Sequence, residues 1–421
     1  MRILFVLHQF YPEVSGGTER VTLNLARSAQ RAGHHVRVLA CGLQPDTAGR
    51  VSGHVLDFAE QVYHGVPVTK IPYSRLPAAG DFSFEVSKEI VDNLSSWMRQ
   101  QQFDVAHVLH TMRMGSAILA AQKADLPYVI TLTDFFAACY RVNFINQENE
   151  ACKGAESGAT CAKDCQVAPW DAKSLAARHG QAASFLAAAG ERVVPSRYVA
   201  ERLGQSFPGL AFRVIPHGIN FLEFATRLRP DARETPRPNV LTLGYLGSIV
   251  RQKGLDTLLK AIAKLASPNL RLRIVGGFYG DTTYQNDVRR QIEADSRIEW
   301  VGQVPPEKVS EELQAFDLLC LPSRVPETFS LSLNEAAVAG IPALVSDLGA
   351  PGEMIRNQGS GIAIPVDDVD AWSAAIDSVL KSRELLETWC RSLVIPYRLE
   401  EEAFFYESLY RRLINSEKNL A

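Results

Sequence analysis

Short apolar runs alternate with amphipathic stretches along most of this chain. Residues 3–7 (ILFVL) are an uninterrupted apolar run, which is typical of a strand buried on both faces of a parallel sheet. Residues 19–32 carry apolar side chains three and four positions apart, which predicts a helix that ends at Gly33. Residues 36–40 predict the next strand, so the chain opens with a βαβ unit.

The same alternation continues to residue 345 with one interruption. The first part predicts further helices at 82–101, 116–124, 181–189 and 198–203 and strands at 103–109, 128–132, 192–194 and 212–215. A polar segment with three prolines, 226–239, predicts a linker. Beyond it, strands are predicted at 240–246, 270–275, 298–301, 318–321 and 342–345, with helices at 254–265, 284–294, 306–315 and 329–339. The pattern therefore predicts an α/β protein with two Rossmann-like, doubly wound domains facing a central cleft.

Chain length and the linker set the expected domain boundaries. At 421 residues the chain is too long for one ordinary core. We predict an N-terminal domain over 1–220 and a C-terminal domain over 221–395. The remaining segment, 396–421, is predicted to contain a helix over 399–415 that packs back towards the N-terminal domain.

Composition excludes some classes of partner. The chain is 46% hydrophobic and 22% charged, as globular proteins are, and its net charge of −3 gives no support for nucleic-acid binding. The apolar run at the N-terminus is too short for a signal peptide, and no run is long enough to span a membrane. We expect a cytoplasmic protein and leave peripheral contact with the inner face of a membrane open.

The stretch 319–340 (LCLPSRVPETFSLSLNEAAVAG) is the main candidate site. It predicts a strand that ends at Pro322, a loop containing Glu327, and a helix with Glu335 inside it. The free N–H groups and dipole at the start of that helix suit a phosphate, and the two carboxylates could bind hydroxyl groups beside it. The alternative is a capping box formed by Ser332 and Glu335, with Glu327 as a solvated loop charge.

Two further features suggest ligand binding. Gly16 and Gly17 precede the first helix, where glycines let backbone N–H groups approach a phosphate; a plain strand-to-helix turn is the alternative. Four of the seven cysteines fall in a polar insertion over 139–166. These four are Cys139, Cys152, Cys161 and Cys165. They can form a structural zinc site or an iron–sulfur site, or they can be free thiols in a loop.

Several segments resemble the family 4 glycosyltransferases, which have the GT-B fold. The segments are SGGTERVTLNLARSAQRAGHHVRVLA near the start, FDVAHVLH at 103–110, VIPHGIN at 214–220, LGYLGSIVRQKGLDTLLKAI at 243–262, LRIVGG at 272–277, IEWVGQV at 298–304 and the stretch from 319. The resemblance implies a retaining transferase that needs no metal for catalysis. Its donor would be a nucleotide-diphospho-sugar, bound mainly by the C-terminal domain.

The resemblance also implies roles for individual residues. Glu335 would bind the ribose hydroxyls of the nucleotide, and Glu327 the hydroxyls of the donor sugar. Lys253 would neutralise the diphosphate, and Gly17 would approach it from the other domain. The backbone amides of Phe329, Ser330 and Leu331 would bind the same diphosphate.

The chain departs from the family pattern at several positions. Ser248 stands where an arginine is usual, and Arg251 is the candidate to replace its contact with the phosphate. Ser330 stands where a glycine is usual. In the N-terminal domain His110 is the candidate histidine near the donor sugar, whereas His107 lies inside a strand and is expected to be a core residue. Asp134 is the acceptor-side candidate.

The sequence therefore predicts a retaining glycosyltransferase that acts on a glycan or lipid-linked acceptor, in the synthesis of a cell-surface polysaccharide or glycolipid. Two alternatives stay open. One is a catalytically idle protein of the same fold that only binds nucleotide sugars. The other is a glycoside hydrolase that uses Glu327 and Glu335 as its carboxylate pair. The base, the sugar, the linkage and the oligomeric state are not encoded in any motif above.

Overall fold

The structure is a computed structural model that describes residues 1–14, 16–42, 59–71, 86–148, 150–152, 154–165, 171–224 and 240–418. The chain folds into two units. The N-terminal unit comprises Met1–Gly218 together with Leu399–Ala421, and the C-terminal unit comprises Ile219–Arg398. The predicted boundary after residue 220 falls close to Gly218, and the final segment belongs to the N-terminal unit. The predicted linker 226–239 lies outside the described residues.

Among its described residues, the N-terminal unit is built on a sheet of eight strands. Its strands are β1 (Arg2–Val6), β2 (His35–Cys41), β3 (Ala59–Tyr63), β4 (Val66–Ile71), β5 (Val105–Val108), β6 (Tyr128–Thr131), β7 (Glu191–Val194) and β8 (Arg213–Val214). Its helices are α1 (Gly17–Arg31), α2 (Lys88–Gln100), α3 (Gly115–Lys123), α4 (Ala159–Asp164), α5 (Ala172–Ala188) and α6 (Arg197–Ser206). The strand order is β3-β4-β2-β1-β5-β6-β7-β8, and only the pairing of β3 with β4 is antiparallel.

The described part of the C-terminal unit repeats this plan with six parallel strands. They are β9 (Leu241–Leu246), β10 (Leu270–Val275), β11 (Ile298–Gly302), β12 (Leu318–Leu321), β13 (Ala343–Ser346) and β14 (Gly361–Ile364), in the order β11-β10-β9-β12-β13-β14. Its helices are α7 (Leu255–Ala263), α8 (Thr282–Glu293), α9 (Val309–Leu313), α10 (Leu331–Val338), α11 (Gly349–Gln358), α12 (Val369–Lys381) and α13 (Glu384–Arg391). Apolar clusters lie on both faces of this sheet. The prediction of two doubly wound α/β domains is confirmed.

The last helix, α14 (Leu399–Lys418), is joined to the N-terminal sheet by buried hydrogen bonds. The Tyr410 hydroxyl lies 2.6 Å from Nδ1 of His107, and the Tyr406 hydroxyl lies 2.8 Å from the hydroxyl of Thr131. Nε2 of His107 is in turn 2.7 Å from that threonine hydroxyl. The packing of α14 buries these polar groups, and the hydrogen bonds between them offset the free-energy cost of removing them from water.

The predicted elements omit α4 and, beyond residue 345, the strand β14 and the helices α11, α12 and α13. Further differences lie in the N-terminal unit. Residues 59–71 form a β-hairpin at the edge of the sheet that the sequence pattern did not predict. Helix α5 begins at Ala172 rather than 181, because the Asp171 carboxylate accepts the Ser174 amide hydrogen bond and caps it there. Helix α2 begins at Lys88 after a Ser87 cap, and residues 82–85 of the predicted helix lie outside the described residues.

Candidate active site

The loops after β9 and β12 lie side by side at one edge of the C-terminal sheet. These two strands are neighbours although they are far apart in sequence, and the strand order reverses direction between them. In open parallel sheets ligands bind beyond the carboxyl ends of the strands at such a reversal. Lys253 follows β9 and Glu327 follows β12, so topology alone brings both residues to the expected binding position.

Lys253 and Glu327 form an ion pair there. The ammonium Nζ lies 2.8 Å from Glu327 Oε1, and the Ser323 hydroxyl donates a hydrogen bond to the same oxygen. Burial alone would raise the pKa of this carboxyl. The nearby ammonium and hydrogen bonds from Ser323 and Ser330 outweigh burial, so the pKa is lowered. Glu327 is therefore an ionised hydrogen-bond acceptor rather than a proton donor at neutral pH.

Arg324 joins the two loops. Its backbone N–H donates to the carbonyl of Gln252 at 2.8 Å, and its Nη1 donates to the carbonyl of Arg251 at 2.9 Å. These residues directly precede Lys253, while Arg324 itself lies three residues before Glu327. The two halves of the ion pair are thus on segments that one side chain ties together.

Two aspartates fix the guanidinium of Arg324. Nη1 and Nη2 donate to the two carboxylate oxygens of Asp256 at 2.7 and 2.9 Å, and Nε donates to Asp367 at 2.7 Å. Burial raises the pKa of Asp256, but the hydrogen bonds and charge of Arg324 outweigh burial and lower it to about 2. The sequence pattern indicates only a helix-start charge at Asp367, so it gives no sign of this contact.

The predicted diphosphate-binding amides lie at the start of α10. Ser330 takes the N-cap position and Leu331 is the first helical residue, so N–H groups over Phe329–Leu331 fall where a helix offers no internal acceptors. Glu335 lies in the second turn and is only 2% exposed. Ser332 lies inside the helix, so the N-cap position of the alternative capping box belongs to Ser330 instead.

Arg251 does not stand free to replace the arginine that Ser248 lacks. Its Nη2 lies 2.8 Å from a carboxylate oxygen of Asp281, and its guanidinium carbon lies 5.1 Å from the centre of the Tyr284 ring. A contact between Arg251 and a phosphate would have to compete with that ion pair. The predicted role of Arg251 stays a prediction.

In the N-terminal unit the strand order reverses between β1 and β5, and the loops after β1, β5 and β6 carry the candidate residues. His110 follows β5, and its Nδ1 accepts the Met112 N–H at 3.1 Å. Nε2 therefore carries the proton and donates to the carboxylate of Asp134. The structure thus brings the two N-terminal candidates into direct contact.

His8, to which no sequence motif pointed, packs on this pair. Its ring centre lies 3.8 Å from that of His110. Burial, the larger cause, and the proximity of His110 and Arg113 hold the pKa of His8 well below its usual value, so the ring is neutral. The position of His8 just after β1 could have identified it as a site residue, because β1 borders the point where the strand order reverses.

Gly16 and Gly17 lie at the start of α1, as predicted. Gly16 holds the N-cap position and Gly17 is the first helical residue. The carboxylate of Glu19, 2% exposed, accepts a hydrogen bond from the Gly16 amide, and burial raises the pKa of that carboxyl. The hydroxyls of Thr18 and Thr133 are 2.8 Å apart and join this helix start to the loop after β6.

His107 is a core residue, as expected from its place inside β5. It is fully buried and both ring nitrogens are in hydrogen-bond contact with hydroxyls. Burial, followed by the charge of His217, lowers its pKa to about 3.

The four cysteines of the insertion lie near one another as free thiols. Cys161 interacts electrostatically with the other three, and burial, the larger cause, raises its pKa to about 12. Burial also raises the pKa of Cys139 and of Cys152. Within the described parts of the chain, no group of three or more His, Cys, Asp or Glu side chains has the arrangement of a metal site. The zinc hypothesis stays a prediction that this geometry does not support.

Comparison with protein families accounts for both units. Residues 15–221 match the family described as Glycosyltransferase Family 4, and residues 230–391 match Glycosyl transferases group 1. The chain belongs to glycosyltransferase family 4. The fold is the GT-B type that this family was expected to have.

Individual relatives agree with the family 4 assignment. The chain is 26% identical over 376 residues to the phosphatidyl-myo-inositol mannosyltransferase of Mycolicibacterium smegmatis, covering 89% of this chain and 83% of that protein. Sucrose-phosphate synthase from Thermosynechococcus elongatus superposes with a TM-score of 0.70 at 19% identity, covering 99% of both chains. HepE from Anabaena, solved with UDP and glucose, gives a TM-score of 0.67 at 16% identity over 97% of this chain and 99% of that one.

No helix among the described residues of this family 4 enzyme combines the length and the apolar content that a membrane crossing needs.

Proposed function

We propose that this glycosyltransferase moves a sugar from a nucleotide-diphospho-sugar to a glycan or lipid-linked acceptor, with retention of the anomeric configuration. The observation that carries the donor class is the Lys253–Glu327 ion pair beside the start of α10, at the reversal of strand order in the C-terminal unit. A lipid-linked acceptor draws support from the mannosyltransferase of M. smegmatis, whose name contains the lipid phosphatidyl-myo-inositol.

The proposed chemistry follows from where charge develops. Breaking the bond between the sugar and the phosphate builds negative charge on the departing diphosphate. The Lys253 ammonium and the amides at the start of α10 are fixed positive groups that stabilise this charge without reorganising. Glu327, held ionised, accepts hydrogen bonds from sugar hydroxyls, and Glu335 does the same for the ribose. His110, with its proton directed at Asp134, positions the acceptor side.

Binding of the donor class can be tested directly. Thermal shifts with UDP-, GDP- and ADP-sugars should identify one base that stabilises the protein, since a ligand bound only by the folded state raises the melting temperature. Incubation of that donor with a lipid extract or oligosaccharides should release the nucleoside diphosphate, and the anomeric configuration of the product can be read by NMR. Absence of stabilisation by every nucleotide sugar would refute the proposal.

Two carboxylate variants separate the proposed roles. Glu335→Gln should weaken binding of the nucleoside diphosphate by about tenfold, because it loses charge-assisted hydrogen bonds to the ribose. Glu327→Gln should leave that affinity within about twofold and lower the rate of transfer by about 100-fold. Calorimetry of binding and nucleotide-release kinetics provide the two measurements.

Glu293→Gln, on the exposed surface of α8, is the matched control and should behave as the unmodified protein. Unchanged binding and transfer in both site variants would remove the carboxylates from the mechanism. The same kinetics address the alternatives. Donor binding without transfer would favour a protein that only binds nucleotide sugars, and release of a free sugar from glycosides without a nucleotide would favour a hydrolase.

A further inference from the structure

Ser330 has a backbone conformation that disfavours any side chain. It lies at φ +68° and ψ 93°, at the N-cap of α10. For a residue with a Cβ atom this region is sterically unfavourable, whereas glycine adopts it freely. Such a strained conformation persists only where surrounding contacts stabilise it, and residues of this kind are often found at functional sites.

Asn334 holds this conformation in place. The carbonyl of Ser330 accepts a hydrogen bond from the Asn334 backbone N–H at 3.3 Å and a second from its side-chain Nδ2 at 2.9 Å. Asn334 is 4% exposed, so its amide group is fixed by its surroundings. The two hydrogen bonds from Asn334 therefore fix the carbonyl of Ser330, and the fixed backbone determines the direction of its side chain.

The hydroxyl of Ser330 bonds to the carboxylate of Glu327, and its Oγ is 3.3 Å from Oγ of Ser332. Glu327 thereby receives three protein donors, the others being the ammonium of Lys253 and the hydroxyl of Ser323. An ionised carboxylate can accept about four hydrogen bonds. Three fixed donors therefore set the orientation of Glu327 and leave about one acceptor position for a ligand.

We propose that Ser330 positions Glu327 for the sugar of the bound donor, and that its hydroxyl makes the site prefer a nucleotide sugar over the bare nucleoside diphosphate. The inference rests on the proposed function and adds a residue that determines donor selectivity. A glycine would relieve the backbone but would remove one of the three groups that orient the carboxylate. Serine at this position has a strained backbone, but its hydroxyl helps to orient the carboxylate.

Two substitutions separate the hydroxyl from the backbone. Ser330→Ala removes the hydroxyl and keeps the strain, whereas Ser330→Gly removes both. The glycine variant should melt at the same temperature as the unmodified protein or about 2 °C above it, since strain is relieved. His64→Gly is the control for strain alone, because His64 also has a positive φ of 47° but lies in the hairpin turn between β3 and β4.

Calorimetry should use three matched pairs of probes: UDP with UDP-glucose, GDP with GDP-mannose, and ADP with ADP-glucose. For the pair that the unmodified protein binds, both Ser330 variants should keep the affinity for the diphosphate within about twofold. Their affinity for the nucleotide sugar should fall by about five- to tenfold, as expected for one lost hydrogen bond to an oriented charge. His64→Gly should change neither affinity.

Each other outcome overturns a specific statement. Unchanged preference for the nucleotide sugar in both variants would overturn the role of Ser330 while leaving the proposed function intact. Equal weakening of the diphosphate and of the nucleotide sugar would show a purely structural role and would also overturn it. If the unmodified protein binds no member of any pair, the proposed function fails together with the inference.

Discussion

At the scale of single residues, the two histidines of β5 and its loop show how position decides chemistry. His107 and His110 lie three residues apart, yet the first is inside the sheet and the second is beyond its edge. The ring of His107 is buried with hydroxyl partners, whereas that of His110 contacts a carboxylate and a second histidine. The position of each ring relative to the end of the strand therefore decides which partners it has.

The buried ring of His107 predicts a pH dependence of stability. Its pKa is about 3 in the folded protein and 6.5 in the unfolded chain, so below pH 6.5 the unfolded chain binds a proton that the folded protein does not. The free energy of unfolding should therefore fall by about 1.4 kcal/mol for each pH unit between 6.5 and 3. Hydrogen exchange of β5 amides should show a loss of about 2 kcal/mol from pH 7 to pH 5.

A His107→Gln variant separates this contribution from other titrating groups. It is expected to be less stable overall, but its stability should depend less steeply on pH in the same window. His35→Gln, at an exposed position on β2, is the control and should keep the original slope. Equal slopes in the unmodified protein and in His107→Gln would contradict the prediction.

At the scale of elements, the site depends on how the start of α11 packs against the loop after β12. Gly349, the first residue of α11, has a φ of +68°, and a Cβ atom at this position would lie 2.6 Å from the backbone nitrogen of Glu327. The N–H of Ala350 also donates to the Glu327 carbonyl at 2.9 Å. The first residues of α11 therefore fix the position of the Glu327 backbone.

Gly349→Ala should displace Glu327 and lower the rate of transfer by about 100-fold, because small misplacements of a positioned group are costly. Gly359→Ala is a close control, since Gly359 has a φ of +67° and a Cβ atom added to it would meet no atom within 4 Å. Both variants should lose about 1 kcal/mol of stability from the backbone alone. Equal transfer rates in the two would show that the contact with Glu327 has no consequence.

At the scale of the whole molecule, the last helix completes a unit that begins at the other end of the chain. The carboxylate of Glu402 accepts the Gly218 N–H at 2.8 Å and lies 2.9 Å from Nδ1 of His217. Tyr406 and Tyr410 are almost fully buried. The N-terminal unit therefore cannot form its complete core until Leu399–Lys418 has been synthesised.

Removing Leu399–Ala421 should unfold the N-terminal unit. Three of the lost side chains, Tyr406, Leu409 and Tyr410, are at most 3% exposed, and at about 2–3 kcal/mol each their burial approaches the stability of a typical domain. Limited proteolysis should then cleave residues 1–218 first and spare the C-terminal unit. A chain ending at Lys418 is the control and should resist as the full chain does. If the chain that lacks Leu399–Ala421 also resisted proteolysis, this account would be contradicted.

The sequence pattern predicted the elements of the central strands well and the edges less well. Residues 318–321 were predicted as a strand with the bounds that the structure has, because an uninterrupted apolar run marks a strand buried on both faces. The hairpin at 59–71 was missed, although His64 and Gly65, both at positive φ, form the kind of turn that joins such strands. Residues 60–63 of β3 are exposed or half-buried, and polar residues interrupt the buried strand β4, so neither strand has a clear apolar pattern.

The sequence by itself determined the kinds of elements, the repeat of the α/β plan and the family, because periodicity and motifs are local properties of the chain. The tertiary structure decided which side chains meet. Arg324 joins the loop of Lys253 to that of Glu327, Ser330 is strained where it contacts Glu327, and Tyr410 reaches His107 across 303 positions of sequence. Those contacts depend on strand order and side-chain direction, which no local pattern specifies.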